Sequence, residues 1–179
     1  MAYLFYRKYD IQISLILYGP GGTGKSVFLD ILKGLVGEKN CTAYSLHSLT
    51  TKQFSIHNLY DKLLNECGEL DNTVVDKSGI FKMATSRTDI LTGERKYLDP
   101  IYFVNFAKFV FACNELCPIT DKSSGFWRRL VILQFLRKYT VEEYDYDKLA
   151  RIKEEKEVSG LFNEVIKRLP KIIKKMEFT

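Results

Sequence analysis

The sequence is poor in the residues that build metal centres and disulfide frameworks. Its four cysteines are too few and too scattered for a disulfide scaffold, and Cys113 and Cys117 are separated by three residues rather than the two of a zinc knuckle. The two histidines, His47 and His57, have no partner at a ligand-like spacing. We therefore expect reduced cysteines and assign neither histidine a role.

Long apolar runs are also missing. No stretch of about 18 apolar residues is present to cross a bilayer, and the N-terminal residues lack the apolar core of a signal peptide. With 46% hydrophobic and 27% charged residues and only four prolines, the chain is not disordered, collagen-like or a coiled coil. Its 179 residues predict one folded cytoplasmic domain with no membrane partner. The net charge of +5 permits a polyanionic partner without requiring one.

Apolar runs and glycines predict an α/β fold with a mostly parallel central sheet flanked by helices. An apolar, β-branched run at 11–18 stops at a cluster of glycines, and a helical period of apolar residues follows from Ser26. Further strands are expected at 62–67, 106–113 and 130–136. A helix is expected at 74–85, a hairpin at 89–105 with 92–94 at its turn, and a helical tail at 145–175 broken near 159–160.

The glycine-rich loop between the first strand and the first helix matches G-x-x-x-x-G-K-[ST] in full. In such a loop the backbone N–H groups cradle phosphate oxygens, the lysine reaches the β- and γ-phosphates, and the hydroxyl binds Mg²⁺. The sequence therefore predicts binding of ATP with Mg²⁺. The predicted nucleotide-binding residues are Gly19, Pro20, Gly21, Gly22, Thr23, Gly24, Lys25, Ser26 and Val27.

Polar residues at the ends of two other predicted strands are candidates for hydrolysis. Glu66 and Glu69 lie at the end of the strand at 62–67, where a carboxylate can hold Mg²⁺ or polarise water. Asn114 directly follows the strand at 106–113, at the edge of an α/β sheet where ligands bind. From spacing alone, each is equally well explained as a solvated loop residue.

The segment from Lys82 to Lys108 mixes basic and aromatic residues. Such a composition suits a loop that binds single-stranded DNA, with cations on phosphates and aromatics on bases, but it also suits a solvated hairpin with aromatics in the core. We place the aromatics, and also Trp127, in the core. The aromatics concerned are Tyr97, Tyr102, Phe103 and Phe106.

Five ordered segments resemble one family, the superfamily 3 helicases of the phage, plasmid and poxvirus primase-helicase branch, which are AAA+-type ATPases. These segments span the chain from Tyr18 to Leu169. They read YGPGGTGKS, LLNECGEL, GERKYLDPIYFVNFAKFVFACNELCP, GFWRRLVILQF and VSGLFNEVIKRL.

The resemblance implies roles for individual residues. Lys25 and Ser26 would belong to Walker A, Glu69 would be the Walker B carboxylate and a metal ligand with Ser26, and Asn114 would be sensor 1. Glu66 is a second candidate carboxylate. Arg128 or Arg129 would be the arginine finger, and Arg129 is preferred because it directly precedes the apolar strand. Lys96, and more weakly Arg95 and Lys82, would contact DNA.

The resemblance also implies an assembly and a setting. It predicts a homo-oligomer, a hexameric ring that moves along single-stranded DNA, encoded by a virus or plasmid of a prokaryotic host. Residues 1–136 would form the α/β core and 137–179 a helical tail. The helical or primase region that usually precedes the first strand is expected to be missing, which leaves a primase or origin-binding domain or protein as a further partner.

Two other functions also explain the glycine-rich loop. A P-loop kinase would turn over ATP regardless of DNA and would need a lid over its acceptor. A nucleotide-gated DNA-binding module would bind ATP with negligible turnover.

Overall fold

A computed structural model describes residues 1–51, 54–70, 78–145 and 147–176, apart from the side chain of Leu149. The central sheet has five parallel strands in the order β2-β3-β6-β1-β7, and β4 and β5 form a separate antiparallel hairpin. The strands are β1 (Ser14–Tyr18), β2 (Cys41–Thr42), β3 (Leu64–Cys67), β4 (Ile90–Arg95), β5 (Leu98–Val104), β6 (Lys108–Cys113) and β7 (Leu130–Gln134).

Helices cover both faces of this sheet, which confirms the α/β class. Short 3₁₀ turns add to them at Ala2–Phe5, Glu38–Asn40, His57–Leu59 and Val141–Glu143. The α-helices are α1 (Lys25–Val36), α2 (Leu46–Thr51), α3 (Gly79–Ala84), α4 (Ser124–Trp127), α5 (Lys148–Ile152) and α6 (Glu155–Lys175). Within the described ranges, no helix is long and apolar enough to cross a membrane.

Strand β6 divides the core into two layers. All six of its residues are buried, and successive side chains point to opposite faces of the sheet. Phe109 and Phe111 pack with α2, α3 and the base of the hairpin, whereas Val110 and Ala112 pack with α1. A further apolar cluster joins α6 to the N-terminal turn and the end of α1. The run at 106–113, apolar except for the buried Lys108, thus has the composition of a strand that is buried on both faces.

The hairpin turns at Lys96 and Tyr97 rather than at 92–94 as expected. Gly93 lies inside β4, where an added Cβ would come within 2.8 Å of the His57 Cα. This glycine therefore permits a close approach between two segments of backbone and does not make the turn. Tyr97 adopts the left-handed conformation at the turn instead, with φ of 61°.

The tail is helical, but its break lies elsewhere. Helix α5 ends at Ile152 and α6 begins at Glu155, so Ser159 and Gly160 lie inside α6. A glycine in a helix interior costs about 1 kcal/mol, which the packing of Val165 against Ala2 and Leu35 can offset. The helix expected at 74–85 is observed as α3 at Gly79–Ala84, and residues 74–77 of that prediction lie outside the described ranges.

Strand β7 confirms the expected fourth strand but lies at the edge of the sheet. Its apolar side chains Val131, Ile132 and Leu133 are exposed, since the described part of the chain covers neither face there. Trp127 is also 45% exposed, so its placement in the core was wrong, whereas its neighbour Phe126 is fully buried.

Candidate functional site

The candidate site lies at the carboxyl ends of the central strands, where open α/β sheets bind ligands. The glycine-rich loop connects β1 to α1 at this edge and is tied to both neighbouring strands. Gly19 N–H donates to the Cys113 carbonyl at 3.2 Å, and Phe135 N–H donates to the Tyr18 carbonyl at 2.7 Å. The sheet therefore holds the loop from two sides.

Two glycines of the loop are required by its geometry. An added Cβ at Gly19 would lie 2.1 Å from the Phe135 carbonyl oxygen, which is backbone and cannot yield. Gly24 adopts φ of 90° and is the N-cap of α1, so no side chain competes for the first N–H groups of this helix. The loop thus presents a helix N-terminus with unpaired donors, the arrangement that binds anions.

Lys25 is buried beneath the loop, and its ammonium group is held by three oxygens. It donates to the carbonyls of Gly19 and Pro20 at 2.5 and 2.8 Å and to Asn114 Oδ1 at 3.0 Å. Residues 89 positions apart in sequence therefore meet at one point. Both were predicted as site residues, and the structure brings them together.

A cavity of about 750 Å³ opens beside this lysine. It is lined by the glycine-rich loop, Ser26, Glu69 and Asn114. Apolar and aromatic side chains from α1, from the segment after β7 and from α5 also line it, and these are Val27, Phe28, Ile31, Phe135, Tyr139 and Ile152. The segment after β7 and α5 also contribute the charged side chains of Glu143, Asp145 and Lys148. The cavity thus combines polar groups suited to phosphates with apolar side chains suited to a flat group.

Of the two predicted carboxylates, only Glu69 lies at this cavity. Glu66 points to the α1 face of β3 and pairs with Lys33 at 2.8 Å. Lys33 is eight residues beyond Lys25, about 12 Å along the helix. The hydrogen bond from Lys33 to Glu66 raises the pKa of this lysine, and the partial burial of Lys33 opposes that effect. Glu66 thus ties β3 to α1 rather than facing the loop.

The two predicted arginines directly precede β7. They therefore lie at the amino ends of the parallel strands, whereas the glycine-rich loop lies at the carboxyl ends. Arg129 is 7% exposed and donates to Thr85 Oγ1 at 3.0 Å and to the Gly125 carbonyl. Burial lowers the pKa of its guanidinium. Arg128 is exposed and donates to Gln12 Oε1 at 2.7 Å. The guanidinium of Arg129 is therefore occupied inside its own chain, whereas that of Arg128 lies at the surface.

The hairpin places one of the three predicted DNA contacts at its tip. Lys96 is exposed, and its ammonium lies 5.0 Å from the centre of the Tyr97 ring. Tyr97 and Tyr102 are 90% and 69% exposed, so assigning them to the core was wrong. Arg95 is turned back onto the Asp99 carbonyl through two N–H groups at 3.0 and 2.8 Å.

Lys82 lies on α3 rather than on the hairpin. Its ammonium donates to Asp121 Oδ2 at 2.9 Å. Hydrogen bonds from Ser123, Ser78 and Lys82 hold the pKa of Asp121 well below its usual range. Lys82 therefore belongs to a polar cluster between α3 and the segment before α4.

Residues after β7 form a wall of the cavity that sequence reasoning missed. Tyr139 N–H donates to the Gly22 carbonyl at 3.1 Å, and Tyr144 lies close enough to Gly22 to clash with an added Cβ. Thr140 and Glu143 form a capping box, a pattern that the spacing T-x-x-E does signal. That signal gives a local turn but not its position against the glycine-rich loop.

Two viral proteins are among the relatives of this chain. A protein of Acanthamoeba polyphaga mimivirus named "Putative helicase L207/L206" is 30% identical over 131 residues, which is 69% of this chain and 13% of that protein. The "DNA Primase-polymerase" of Nitratiruptor phage NrS-1 is 28% identical over 142 residues, 75% of this chain and 18% of the phage protein. The chain thus spans less than a fifth of either relative.

Solved structures share the fold. The C-terminal region of NrS-1 superposes with a TM-score of 0.70 and 21% identity, covering 92% of this chain and 39% of that one. A structure of JCV helicase gives a TM-score of 0.54 and 13% identity over 93% of this chain and 53% of its own.

This chain thus shares its α/β fold with viral proteins. Residues 17–129 match the family described as "Family of unknown function (DUF5906)", and the chain belongs to that family. The matched range contains the glycine-rich loop, both predicted carboxylates, Asn114 and the hairpin.

Proposed function

We propose that this chain is the ATP-hydrolysing motor of a DNA helicase of the superfamily 3, AAA+ type. The observation that carries the proposal is the meeting of Lys25 and Asn114 at 3.0 Å beside the glycine-rich loop, in a cavity that Glu69 also lines. A cation, a carboxylate and an amide at one phosphate-sized site are the groups that phosphoryl transfer needs.

ATP would lie in the cavity, with its triphosphate at the glycine-rich loop and its base against apolar side chains. The triphosphate would take the N–H groups of the loop and of the first turn of α1, and Lys25 would exchange its two carbonyl partners for the β- and γ-phosphates. The base would rest against Phe28 and Phe135, whose rings lie 6.0 Å apart. A cavity of about 750 Å³ falls within the range of ligand-binding pockets.

The residues present fit a magnesium ion shared with the phosphates. Ser26 and Glu69 line the same cavity and offer a hydroxyl and a carboxylate oxygen, the ligands that Mg²⁺ prefers. The described residues contain no group of three or more histidine, cysteine or acidic side chains, so the protein would supply only part of the shell. When bound, the ion would neutralise charge on the phosphates. Glu69 and Asn114 would also orient the attacking water.

Ring assembly would add an arginine from a neighbouring copy. Arg128 is the exposed member of the pair and is the candidate finger, whereas Arg129 has a structural role. The exposed apolar side chains of β7 are consistent with a surface that is covered in a larger assembly. In a ring, the hairpin tip would bring Lys96 and Tyr97 to single-stranded DNA, one against a phosphate and one against a base.

Further parts of the machine would come from other domains or proteins. Since the chain spans 13% and 18% of its two viral relatives, a primase or origin-binding unit would act beside this motor core. The setting would be the cytoplasm of an infected host cell. Within the chain, residues 1–136 would form the motor and 137–179 a tail that also walls the nucleotide cavity.

The ATP turnover rate with and without single-stranded DNA tests the proposal against its alternatives. A helicase motor should hydrolyse ATP and accelerate on DNA, a kinase should be indifferent to DNA, and a nucleotide-gated binding module should bind ATP with negligible turnover. Lys39→Ala, a change at an exposed lysine outside the cavity, is the control and should behave like the wild type.

A further inference from the structure

The last three turns of α6 concentrate positive charge. From Val165 to Met176 the sequence contains five basic residues and no acidic one. All five are exposed, and they are Lys167, Arg168, Lys171, Lys174 and Lys175. Spacings of three, four and seven residues place most of them on one side of the helix. We call Arg168, Lys171, Lys174 and Lys175 the basic stripe.

The opposite side of this helix is already used in packing. Val165 is buried against Ala2 and Leu35, and Leu169 and Ile172 pack against the same cluster. The apolar side is therefore not available for insertion into a membrane or for a protein that wraps around an amphipathic helix. No aromatic residue lies between 163 and 176 to anchor a protein interface. A partner of the stripe must bind through charge.

The basic stripe is not explained by ion pairs in the described part of the chain. Lys167 pairs with Glu164 at 2.8 Å, but no described carboxylate lies within ion-pair distance of the four stripe residues. The helix dipole accounts for cations in the last turn, where Lys174 and Lys175 lie. Its effect fades within one turn, so it does not account for Arg168 and Lys171.

We propose that the basic stripe binds the phosphate backbone of DNA as a second contact, separate from the hairpin. Arg168 and Lys175 are seven residues apart, about 10 Å along the helix. That length matches about three successive phosphates of a B-form strand. The stripe lies on the α1 side of the sheet, while the hairpin packs on the other side with the turn at 57–59. Binding here needs no ATP hydrolysis, so its test is independent of the motor function.

The experiment measures DNA affinity against salt concentration for a triple variant, Arg168→Gln, Lys171→Gln and Lys175→Gln. A matched control changes three exposed lysines elsewhere, Lys39→Gln, Lys122→Gln and Lys156→Gln. A third variant keeps the charge, with Arg168→Lys, Lys171→Arg and Lys175→Arg. Single-stranded and duplex oligonucleotides of one mixed sequence are the probes, and circular dichroism checks the fold.

The proposal predicts that the triple variant lowers the slope of log K against log salt by about 2 for single strands and about 3 for duplex. The matched control and the charge-keeping variant should retain the wild-type slope. The probe with the larger loss identifies the form of DNA that the stripe binds. Wild-type slopes on both probes, or equal losses in the matched control, would overturn the proposal.

A single change covers the case in which the triple variant does not fold. Lys171→Gln leaves the cations of the last turn in place and should lower the single-strand slope by about 0.7. An unchanged slope in this folded variant would also overturn the proposal. Lys96→Ala, at the hairpin tip, should lower the slope further when combined with Lys171→Gln, since the two contacts are separate.

Discussion

Arg128 and Arg129 are neighbours in sequence, but the structure predicts opposite consequences for their removal. Arg129→Met keeps most of the buried aliphatic volume and removes the guanidinium that bonds Thr85 and the Gly125 carbonyl. Hydrogen bonds from a charged donor contribute roughly 1.5 to 3 kcal/mol each. Removing the charge also removes the free-energy cost of burying it. We therefore expect the free energy of unfolding to fall by about 3 kcal/mol in total.

Thermal unfolding followed by circular dichroism measures this difference. For a domain of this size, 1 kcal/mol corresponds to roughly 2 to 4 °C, so Arg129→Met should lower Tm by about 6 to 12 °C. Arg128→Met removes one exposed bond to Gln12 and should lower Tm by less than about 3 °C.

ATP turnover, unlike stability, should depend directly on Arg128 rather than on Arg129. If Arg128 completes a neighbour's site, Arg128→Met should lose most ATP turnover while remaining folded, since a finger contributes about 10³ or more to the rate. Mixing it with Lys25→Ala should restore turnover in proportion to protein concentration, because each variant supplies what the other lacks. A stable, inactive Arg129→Met that complements Lys25→Ala would refute this assignment.

Three further experiments test the roles of the carboxylates, of the hairpin tip and of Lys108. Glu69→Gln should still bind ATP but lose turnover. Glu66→Gln should keep turnover and lower Tm by a few degrees, because it loses the ion pair with Lys33. The reverse pattern in a hydrolysis assay would exchange the roles of the two carboxylates. Lys96→Ala should lower the slope of log K against log salt for single-stranded DNA by about 0.7. Lys82→Ala should leave this slope unchanged, because Lys82 is paired with Asp121. Equal slopes for the two variants would show that the hairpin tip is not part of the DNA site. Lys108→Met should destabilise the chain by at least about 2 kcal/mol in denaturant titration, because the carbonyls of Tyr6, Lys8 and Phe106 lose their shared donor; an unchanged midpoint would contradict this.

Local signals predicted the elements around the candidate site. The run that ends in β1, the glycine-rich loop and α1 follow one another directly, so an apolar run, a glycine cluster and a helical period were sufficient. The strand at 106–113 was equally clear, because both of its faces are buried. Lys25 and Asn114 could be assigned because the carboxyl ends of parallel strands meet at one edge.

Contacts between residues far apart in the sequence explain the features that local signals did not predict. Gly93 was read as a turn residue, yet its role is to let β4 approach His57. Strand β2 has only two residues and was not predicted from the sequence. A hydrogen bond holds it to β3, in which Thr42 Oγ1 donates to Oδ1 of the fully buried Asn65 at 2.9 Å. The position of Arg129 directly before an apolar strand gave no sign that its guanidinium bonds to Thr85 and to the Gly125 carbonyl, and these contacts distinguish it from Arg128.

The most direct test of the central claim is the ATP hydrolysis rate of the wild type and of Lys25→Ala at saturating Mg²⁺ and single-stranded DNA. The account predicts DNA-stimulated turnover in the wild type and none above background in the variant, because the loop then lacks the cation that reaches the transferred phosphate. Lys39→Ala should match the wild type. Turnover in Lys25→Ala close to that of the wild type would contradict the assignment of this loop as the catalytic phosphate site.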